Sequence, residues 1–97
     1  MSLESKFQAD LIKDIESLIP GCITLKGNSA ARGGIPDLAI FFGDRYAFLE
    51  CKRDERSPAR PNQPHYVQLL NEWSFAAFVF PQNRDDVLNQ LVTHFGM

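Results

Sequence analysis

The segment from residue 37 to residue 52 constrains the fold most strongly, because it predicts two apolar strands joined by a tight turn. Residues 37–42 and 45–52 are dominated by aliphatic and aromatic side chains, as strands are. Gly43-Asp44 between them suits a two-residue hairpin turn. Such a turn pairs Phe42 with Arg45 and fixes every other cross-strand pair, so the far end of the hairpin is also specified.

This register places acidic side chains opposite each other at the open end of the hairpin. Asp37 lies opposite Glu50, with Cβ atoms expected about 4.5–5.5 Å apart, and Lys52 shares their face of the sheet. Opposed like charges destabilise a sheet, so something must compensate for them. A shared proton, Lys52 as counter-charge, and a divalent cation that also binds the Cys51 backbone carbonyl are three possible answers.

The rest of the chain supplies three predicted helices and two further strands. Helices are predicted at 4–19, 62–73 and 84–95, and strands at 22–26 and 76–80, with Ser2 and Asn62 as N-caps. The resulting order, α-β-β-β-α-β-α, predicts one α/β domain over residues 1–97 in which helices flank a mixed sheet. The apolar stripes predicted to reach the core are Phe7, Leu11, Ile15 and Leu18 on the first helix, widened by Ile12 and Ile19, then Tyr66, Leu69, Leu70 and Trp73 on the second, and Val87, Leu88, Leu91, Val92 and Phe95 on the third.

Composition excludes several classes of protein. The chain is 44% apolar and 23% charged, which is unlike a disordered segment, and no apolar run approaches the roughly 20 residues that span a bilayer. The charged N-terminus does not read as a signal peptide, and Cys22 and Cys51 lack CxxC spacing, which together predict a cytoplasmic protein with reduced thiols. The net charge is −2, yet residues 26–60 carry seven basic against five acidic side chains. That middle third is the expected place for a phosphate backbone to bind.

A family resemblance follows from the same residues. Pro36-Asp37, twelve residues, and then Glu50-Cys51-Lys52 resemble the PD-(D/E)xK nuclease motif. With Glu4 on an early helix, the approach GGIPDL, and Gln63 opening a later helix, nearly the whole chain is similar to the VRR-NUC branch, the virus-type replication and repair nucleases. The resemblance implies a restriction-endonuclease-like core.

The resemblance also implies a role for each residue that carries it. Asp37, Glu50 and the backbone carbonyl of Cys51 would bind Mg²⁺ or Mn²⁺, and Glu4 would complete the metal site directly or through water. Lys52 would serve catalysis, and Gln63 would orient the attacking water or the scissile phosphate. Basic residues that flank the motif are the candidates for binding the DNA backbone: Lys26, Arg32, Arg53, Arg56 and Arg60.

Small stand-alone members of this branch resemble phage and bacterial homodimers that cut branched DNA. This implies a Mg²⁺- or Mn²⁺-dependent endodeoxyribonuclease that resolves four-way (Holliday) junctions in repair and recombination, within a bacterial or phage-infected cell and away from membranes. A non-catalytic DNA-binding module of the same fold is an alternative. So is the same chemistry on another substrate, as in a nicking, restriction-type or RNA nuclease.

Each candidate residue also has an ordinary structural explanation. Asp37 could simply begin a strand, Lys52 could form a strand-end salt bridge, and Glu4 could favour a helix dipole. Gln63 could be an ordinary first-turn residue, and the arginines of the 53–60 loop could be a solvated surface. His65 and His94 have no metal-ligand spacing and are expected to be surface or packing residues. Tyr66 and Trp73 are expected to be core residues rather than base-stacking platforms.

Overall fold

The computed structural model describes residues 2–27 and 33–97, and the order of their elements is the predicted one. The helices are α1 (Leu3–Leu18), α2 (Gln63–Trp73) and α3 (Arg84–His94). The strands are β1 (Ile23–Lys26), β2 (Leu38–Phe42), β3 (Arg45–Cys51) and β4 (Ala76–Val79). Most bounds lie within a residue of those expected from the sequence, and the α-β-β-β-α-β-α prediction is confirmed.

The four strands form one mixed sheet in the order β1-β2-β3-β4. The first three strands are antiparallel, and α2 carries the chain back so that β4 pairs with β3 in parallel. The hairpin register is the one predicted, from Phe42 opposite Arg45 to Leu38 opposite Leu49. The backbone ladder between the two strands ends at that last pair. Asp37 precedes β2 and Lys52 follows β3, so each of these two predicted strands was one residue too long.

One face of the sheet is covered by α1 and α3, and the main core lies there. Its central members are fully buried aliphatic side chains from α1, from α3 and from the sheet, and they exclude water between the two helices and the sheet. They include Leu11 and Ile15 of α1, Leu38, Ile40 and Leu49 of the sheet, and Leu91 of α3. Cys51 belongs to the same cluster, as predicted, and the ring of His94 packs between Phe75 and Phe95.

The opposite face is only partly covered, because α2 packs on β3 and β4. Val67 and Leu70 meet Ala76, Phe48 and Phe78 in a second, smaller cluster. Leu70 of the predicted stripe is buried, but the core placement of Trp73 is wrong, since that side chain is 65% exposed. The buried face of α2 instead runs along Gln63, Val67 and Leu70, so a polar residue begins the inward stripe and displaces it around the helix.

Helix termini account for two further differences from the sequence analysis. Ser2 caps α1 as predicted, accepting a hydrogen bond from the Ser5 N–H. Ile19, just beyond the helix, is buried as its place in the predicted stripe requires, whereas Leu18 is 46% exposed, so its prediction is wrong. Asn62 occupies the N-cap position of α2 with φ of 74° and makes no side-chain capping bond, so its predicted role is wrong. Its backbone is instead pressed against Gly34, where an added Cβ would lie 2.9 Å from Asn62.

In the part of the chain from 2 to 27 and from 33 to 97, no helix combines the length and the apolar character that crossing a bilayer requires.

Candidate active site

The buried polar side chains of the described residues gather at one place. Glu50 is 5% exposed, Lys52 9% and Gln63 4%, and they lie where β3 ends and α2 begins. A cleft of ≈ 520 Å³ opens above them, bordered by the first residues of α1, by Asp37, and by the loop that joins β3 to α2. Buried charges are rare in proteins unless they are paired or bind a ligand, so this concentration marks a candidate site.

The two carboxylates join the strands where the backbone ladder stops. The Asp37 N–H donates to Glu50 Oε1 at 3.2 Å, and the Cys51 N–H donates to Asp37 Oδ1 at 3.3 Å. Each acid therefore accepts a hydrogen bond from the backbone of the opposite strand. The structure brings Asp37 and Glu50 together as the sequence register predicts, although through side-chain bonds rather than as a regular ladder pair.

Pro36 explains why the ladder stops and what it leaves available. The Phe48 N–H donates to the carbonyl of Phe75, just before β4, and the Lys52 N–H donates to the carbonyl of Val79. Because successive residues of a strand direct their backbone N–H and C=O groups to opposite sides, those of Cys51 point toward β2. The hairpin register, continued past Leu38, would set Pro36 opposite Cys51. Proline has no N–H to donate, so the ladder offers no donor to the carbonyl oxygen of Cys51. The residue before the first acid thus leaves a third oxygen without a ladder donor beside the two carboxylates.

Burial and mutual repulsion shift the acids toward their neutral forms. Burial, followed by the nearby Asp37 charge, raises the pKa of the Glu50 carboxyl to about 7, against the opposing effect of Lys52. Burial also raises the pKa of Asp37, and Glu4 adds to the increase, whereas the hydrogen bond from the Cys51 N–H opposes it. A positive charge placed between the two oxygens would relieve both effects.

Lys52 is held by more than a strand-end salt bridge. Its Nζ donates to Gln63 Oε1 at 2.8 Å and to the Pro58 carbonyl at 3.4 Å, and it lies 4.0 Å from Glu50 Oε2. The same ammonium stands over the ring of Phe78, 6.0 Å from its centroid. Its shortest contact is therefore to a neutral amide rather than to a carboxylate.

Gln63 is fixed at the first position of α2. Its Oε1 accepts from Lys52 and also from the Arg60 N–H, at 2.7 Å. The amide therefore ties the loop before α2 to the end of β3, which an ordinary first-turn residue would not do. Gly34 packs closely against Asn62, the residue before α2, so the segment that leads into β2 also contacts the start of this helix.

The structure adds Gln8 to the residues expected from the sequence. Its Nε2 donates to Asp37 Oδ2 at 3.1 Å, so both oxygens of Asp37 accept hydrogen bonds. Gln8 lies one helical turn after Glu4, and that spacing is the only sequence signal that could have found it. Glu4 borders the same cleft but is exposed.

Comparisons with known proteins bear on the fold. No protein-family model matches the chain, and no curated protein matches it. A solved structure described as "VRR_NUC domain protein" matches over 99% of this chain and 90% of its own, with a TM-score of 0.69 and 19% sequence identity. The chain has a VRR-NUC fold. The mixed sheet with flanking helices that the sequence predicted is the architecture of that fold.

The predicted DNA-binding residues are placed unequally around the cleft of this VRR-NUC fold. Arg53 and Arg60 border it. Lys26 is exposed at the end of β1, and Arg56 is exposed beside Asp54 in the loop after β3. Arg32 lies outside the described residues, and all five assignments stay predictions.

The residues present fit a hard divalent cation. Carboxylates and a backbone carbonyl are the oxygen donors that Mg²⁺ takes, with water completing its shell. Asp37 and Glu50 supply the carboxylates, and the Cys51 carbonyl has no ladder donor to occupy it. Within residues 2–27 and 33–97, no three His, Cys, Asp or Glu side chains converge as an ion-binding group. The contribution of Glu4 to a metal site, directly or through water, stays a prediction.

Proposed function

We propose that this protein is a metal-dependent endonuclease that hydrolyses phosphodiester bonds in DNA. The observation that supports the proposal is that the half-buried Asp37 and the buried Glu50 and Lys52 lie together beside an open cleft. Two acids with raised pKa values next to a fixed lysine destabilise a small domain. Perturbed acids of this kind concentrate at functional sites, because catalysis compensates for the stability that they cost.

The acids and the lysine would divide the work between them. Asp37, Glu50 and the Cys51 carbonyl would hold Mg²⁺ or Mn²⁺, which when bound lowers the pKa of water and neutralises phosphate charge. Lys52 would stabilise the negative charge that develops on the phosphoryl oxygens. Gln63 holds the Lys52 ammonium at 2.8 Å, and so would keep it aimed at the scissile phosphate.

Positive charge at the rim of the cleft would position the DNA. Arg53 and Arg60 border the cleft and would bind phosphates on either side of the cleaved bond. Lys26, Arg32 and Arg56 would extend that contact along the strand, which makes binding dependent on salt concentration. The net charge of −2 makes this local arrangement more important than the total.

Branched DNA is the substrate that we propose, following the family resemblance. The molecule measures 32 × 28 × 22 Å, close to a single turn of B-DNA at about 34 Å. One copy can therefore grip only a short stretch of one arm. A homodimer would present two clefts to a four-way junction and cut opposing strands, which is the reaction of junction resolution in repair and recombination.

The decisive experiment is cleavage of a synthetic four-way junction by wild type and by Lys52→Ala. We expect Mg²⁺- or Mn²⁺-dependent cleavage by wild type, no cleavage in EDTA, and loss of cleavage in Lys52→Ala. Lys13→Ala, which removes an exposed lysine from α1, is the matched control and should cleave normally. Cleavage that survives in EDTA, or in Asp37→Ala, would contradict the proposal.

Parallel substrates distinguish the alternatives. Duplex, flap, single-stranded DNA and RNA of the same sequence would show whether a nicking, restriction-type or RNA nuclease describes the protein better. Junction binding in a gel shift without product at any metal concentration would identify a non-catalytic DNA-binding module instead.

A further inference from the structure

A second, smaller cavity adjoins the cleft of the candidate active site. It measures ≈ 220 Å³ and is bordered by Phe78 of β4, by Phe80 just beyond that strand, and by the loop after β3. Lys52 and Ser57 border both cavities, so the two are neighbours and Lys52 belongs to each. Sites for drug-sized ligands are larger, at about 300–1,000 Å³, so this cavity has room for one small group.

Phe80 is the aromatic wall of this cavity that core packing does not explain. Phe78 packs in the cluster beneath α2, and the Lys52 ammonium stands over its ring, 6.0 Å from the centroid. In the part of the chain that the structure describes, neither apolar cluster includes Phe80, and its side chain is only half-buried. The Phe80 N–H donates to Asn83 Oδ1 at 2.9 Å, which fixes the backbone whatever the side chain. A half-buried ring beside a cavity is a surface on which another flat ring can stack.

The charges around the second cavity are opposite to those at the rim of the cleft. Arg53 and Arg60 border the cleft, whereas Asp54 and Glu55 border the second cavity. Asp54 is engaged in its own loop, where its Oδ1 accepts from the Arg56 N–H at 2.8 Å. Among the described residues, Glu55 has no hydrogen-bond or ion-pair partner. The second cavity therefore repels a phosphate, and Glu55 remains available to accept a hydrogen bond from a ligand.

We propose that the second cavity binds an unpaired nucleobase that carries an exocyclic amino group, of which cytosine is the smallest. The base stacks on Phe80, and its amino group donates to the Glu55 carboxylate. Carboxylates accept in this way from the amino group of cytosine, whereas thymine presents a carbonyl oxygen at the same position. Stacking on aromatic side chains is the general way in which proteins hold single-stranded bases.

Lys52 relates this base to the proposed reaction. With a phosphate held at the Lys52 ammonium in the cleft, the adjoining nucleotide turns its base into the second cavity. A base enters such a cavity only after it has left the stack, which costs least where it is already unpaired. The preferred substrate then has an unpaired nucleotide beside the cleaved bond, as a flap or a branch point provides. That consequence rests on the proposed nuclease function, whereas base binding is measured without cleavage.

The first test compares single-stranded homopolymers of deoxycytidine and of deoxythymidine, equal in length, in EDTA and at low salt. Fluorescence anisotropy at slightly alkaline pH, where both bases are neutral, gives the dissociation constants. We expect the wild type to bind the cytosine strand about fivefold more tightly, the lower end of base discrimination by a side chain. Glu55→Ala should bind both strands equally. Glu72→Ala, which removes an exposed acid from α2, should keep the preference.

The second test removes the stacking surface. Phe80→Ala should weaken binding of the cytosine strand about tenfold, within the range for loss of one base–aromatic stack. Phe80→Leu keeps the apolar bulk without the flat ring and should lose the same affinity. Trp73→Ala removes an exposed ring of α2 that does not border the cavity, so it should bind as wild type does. Circular dichroism confirms that each variant is folded.

Nuclear magnetic resonance of the wild type locates the base directly. On titration with deoxycytidine monophosphate in EDTA, the ring signals of Phe80 should shift, and those of Trp73 should not. A wild type that binds neither strand, or that binds both equally, would overturn the inference. So would unchanged binding in Phe80→Leu, or a loss in Trp73→Ala as large as that in Phe80→Ala.

The two proposals fail in different ways. A protein that prefers the cytosine strand through Phe80 and Glu55 but cleaves no DNA would keep the base site and remove the nuclease. A protein that cleaves the junction while these variants bind as wild type does would keep the nuclease and remove the base site.

Discussion

The two ends of the β2–β3 hairpin hold their strands together by different means. At the turn, the ladder runs unbroken to Phe42 and Arg45, and Gly43 takes the positive φ of 64° that the turn requires. At the open end the ladder stops early, and the carboxylates of Asp37 and Glu50 accept the hydrogen bonds instead. Asp44 and Arg45 at the turn are exposed, whereas at the open end Asp37 is half-buried and Glu50 and Lys52 are buried. The acids at the open end lower the stability of the folded protein, whereas the exposed charges at the turn do not. Such a loss of stability is common at sites that are maintained for function.

The largest expected difference between the ends is in cleavage. Asp37→Asn removes one negative charge beside the cleft, whereas Asp44→Asn makes the same change at the turn. We expect junction cleavage to fall roughly a thousandfold in Asp37→Asn, the scale on which loss of one preorganised electrostatic partner acts. The rate of Asp44→Asn should stay within a factor of two. Similar rates for both variants would remove the distinction between the two ends.

Stability should change in the opposite direction from activity. The folded protein raises the pKa of Glu50 from its usual 4.5 to about 7, so the folded state binds more protons than the unfolded state between those values. The contribution of Glu50 to the free energy of unfolding is then most favourable below about pH 4.5 and falls as the pH rises to 7. At pH 8 without metal, Glu50→Gln should raise the free energy of unfolding by on the order of 3 kcal/mol.

Urea denaturation in EDTA at pH 5 and pH 8 measures this effect. The gain from Glu50→Gln should be much smaller at pH 5, where the wild-type carboxyl is largely protonated. Asp44→Asn, on the exposed turn, should show little change at either pH. A loss of stability in Glu50→Gln at pH 8 would mean that the buried charge is compensated within the protein.

Much of this comparison could be predicted from the sequence, because a two-residue turn fixes a register. Gly43-Asp44 determined that Asp37 would meet Glu50, and alternation then placed Lys52 beside them. Local patterns could not show that Asp37 would leave the ladder. That depends on Pro36 withholding an N–H from a residue far along the chain.

The residues that sequence reasoning missed depend on contacts between distant elements. Gln8 is 29 residues from its partner Asp37, and nothing in α1 alone tells which strand end the helix meets. Trp73 fits an apolar stripe, yet the inward face of α2 is set by Gln63, whose burial follows from bonds to Lys52 and Arg60. Hydrogen bonds to other elements thus overrode the simple periodicity of the helix.

Metal ions should stabilise one end of the hairpin and not the other. At a Mg²⁺ or Mn²⁺ concentration ten times the dissociation constant, binding adds about 1.4 kcal/mol to the free energy of unfolding. For a domain of this size that corresponds to a rise of roughly 6–11 °C in the unfolding temperature. Asp44→Asn should show the same rise as wild type, and Asp37→Asn should show none. An equal rise in both variants would place the ion elsewhere.

The smallest effect we expect comes from the hydrogen bond that orients the first acid. Gln8→Leu removes the donor to Asp37 Oδ2 and should weaken Mg²⁺ affinity about tenfold, the lower end of the range for residues that orient ligands. Gln90→Leu is a matched control, because Gln90 also donates to an aspartate, Asp86, but on the exposed face of α3. Isothermal titration with Mg²⁺ separates the two cases without any DNA. If Gln8→Leu bound Mg²⁺ as wild type does, the backbone bond from Cys51 alone would suffice to position Asp37.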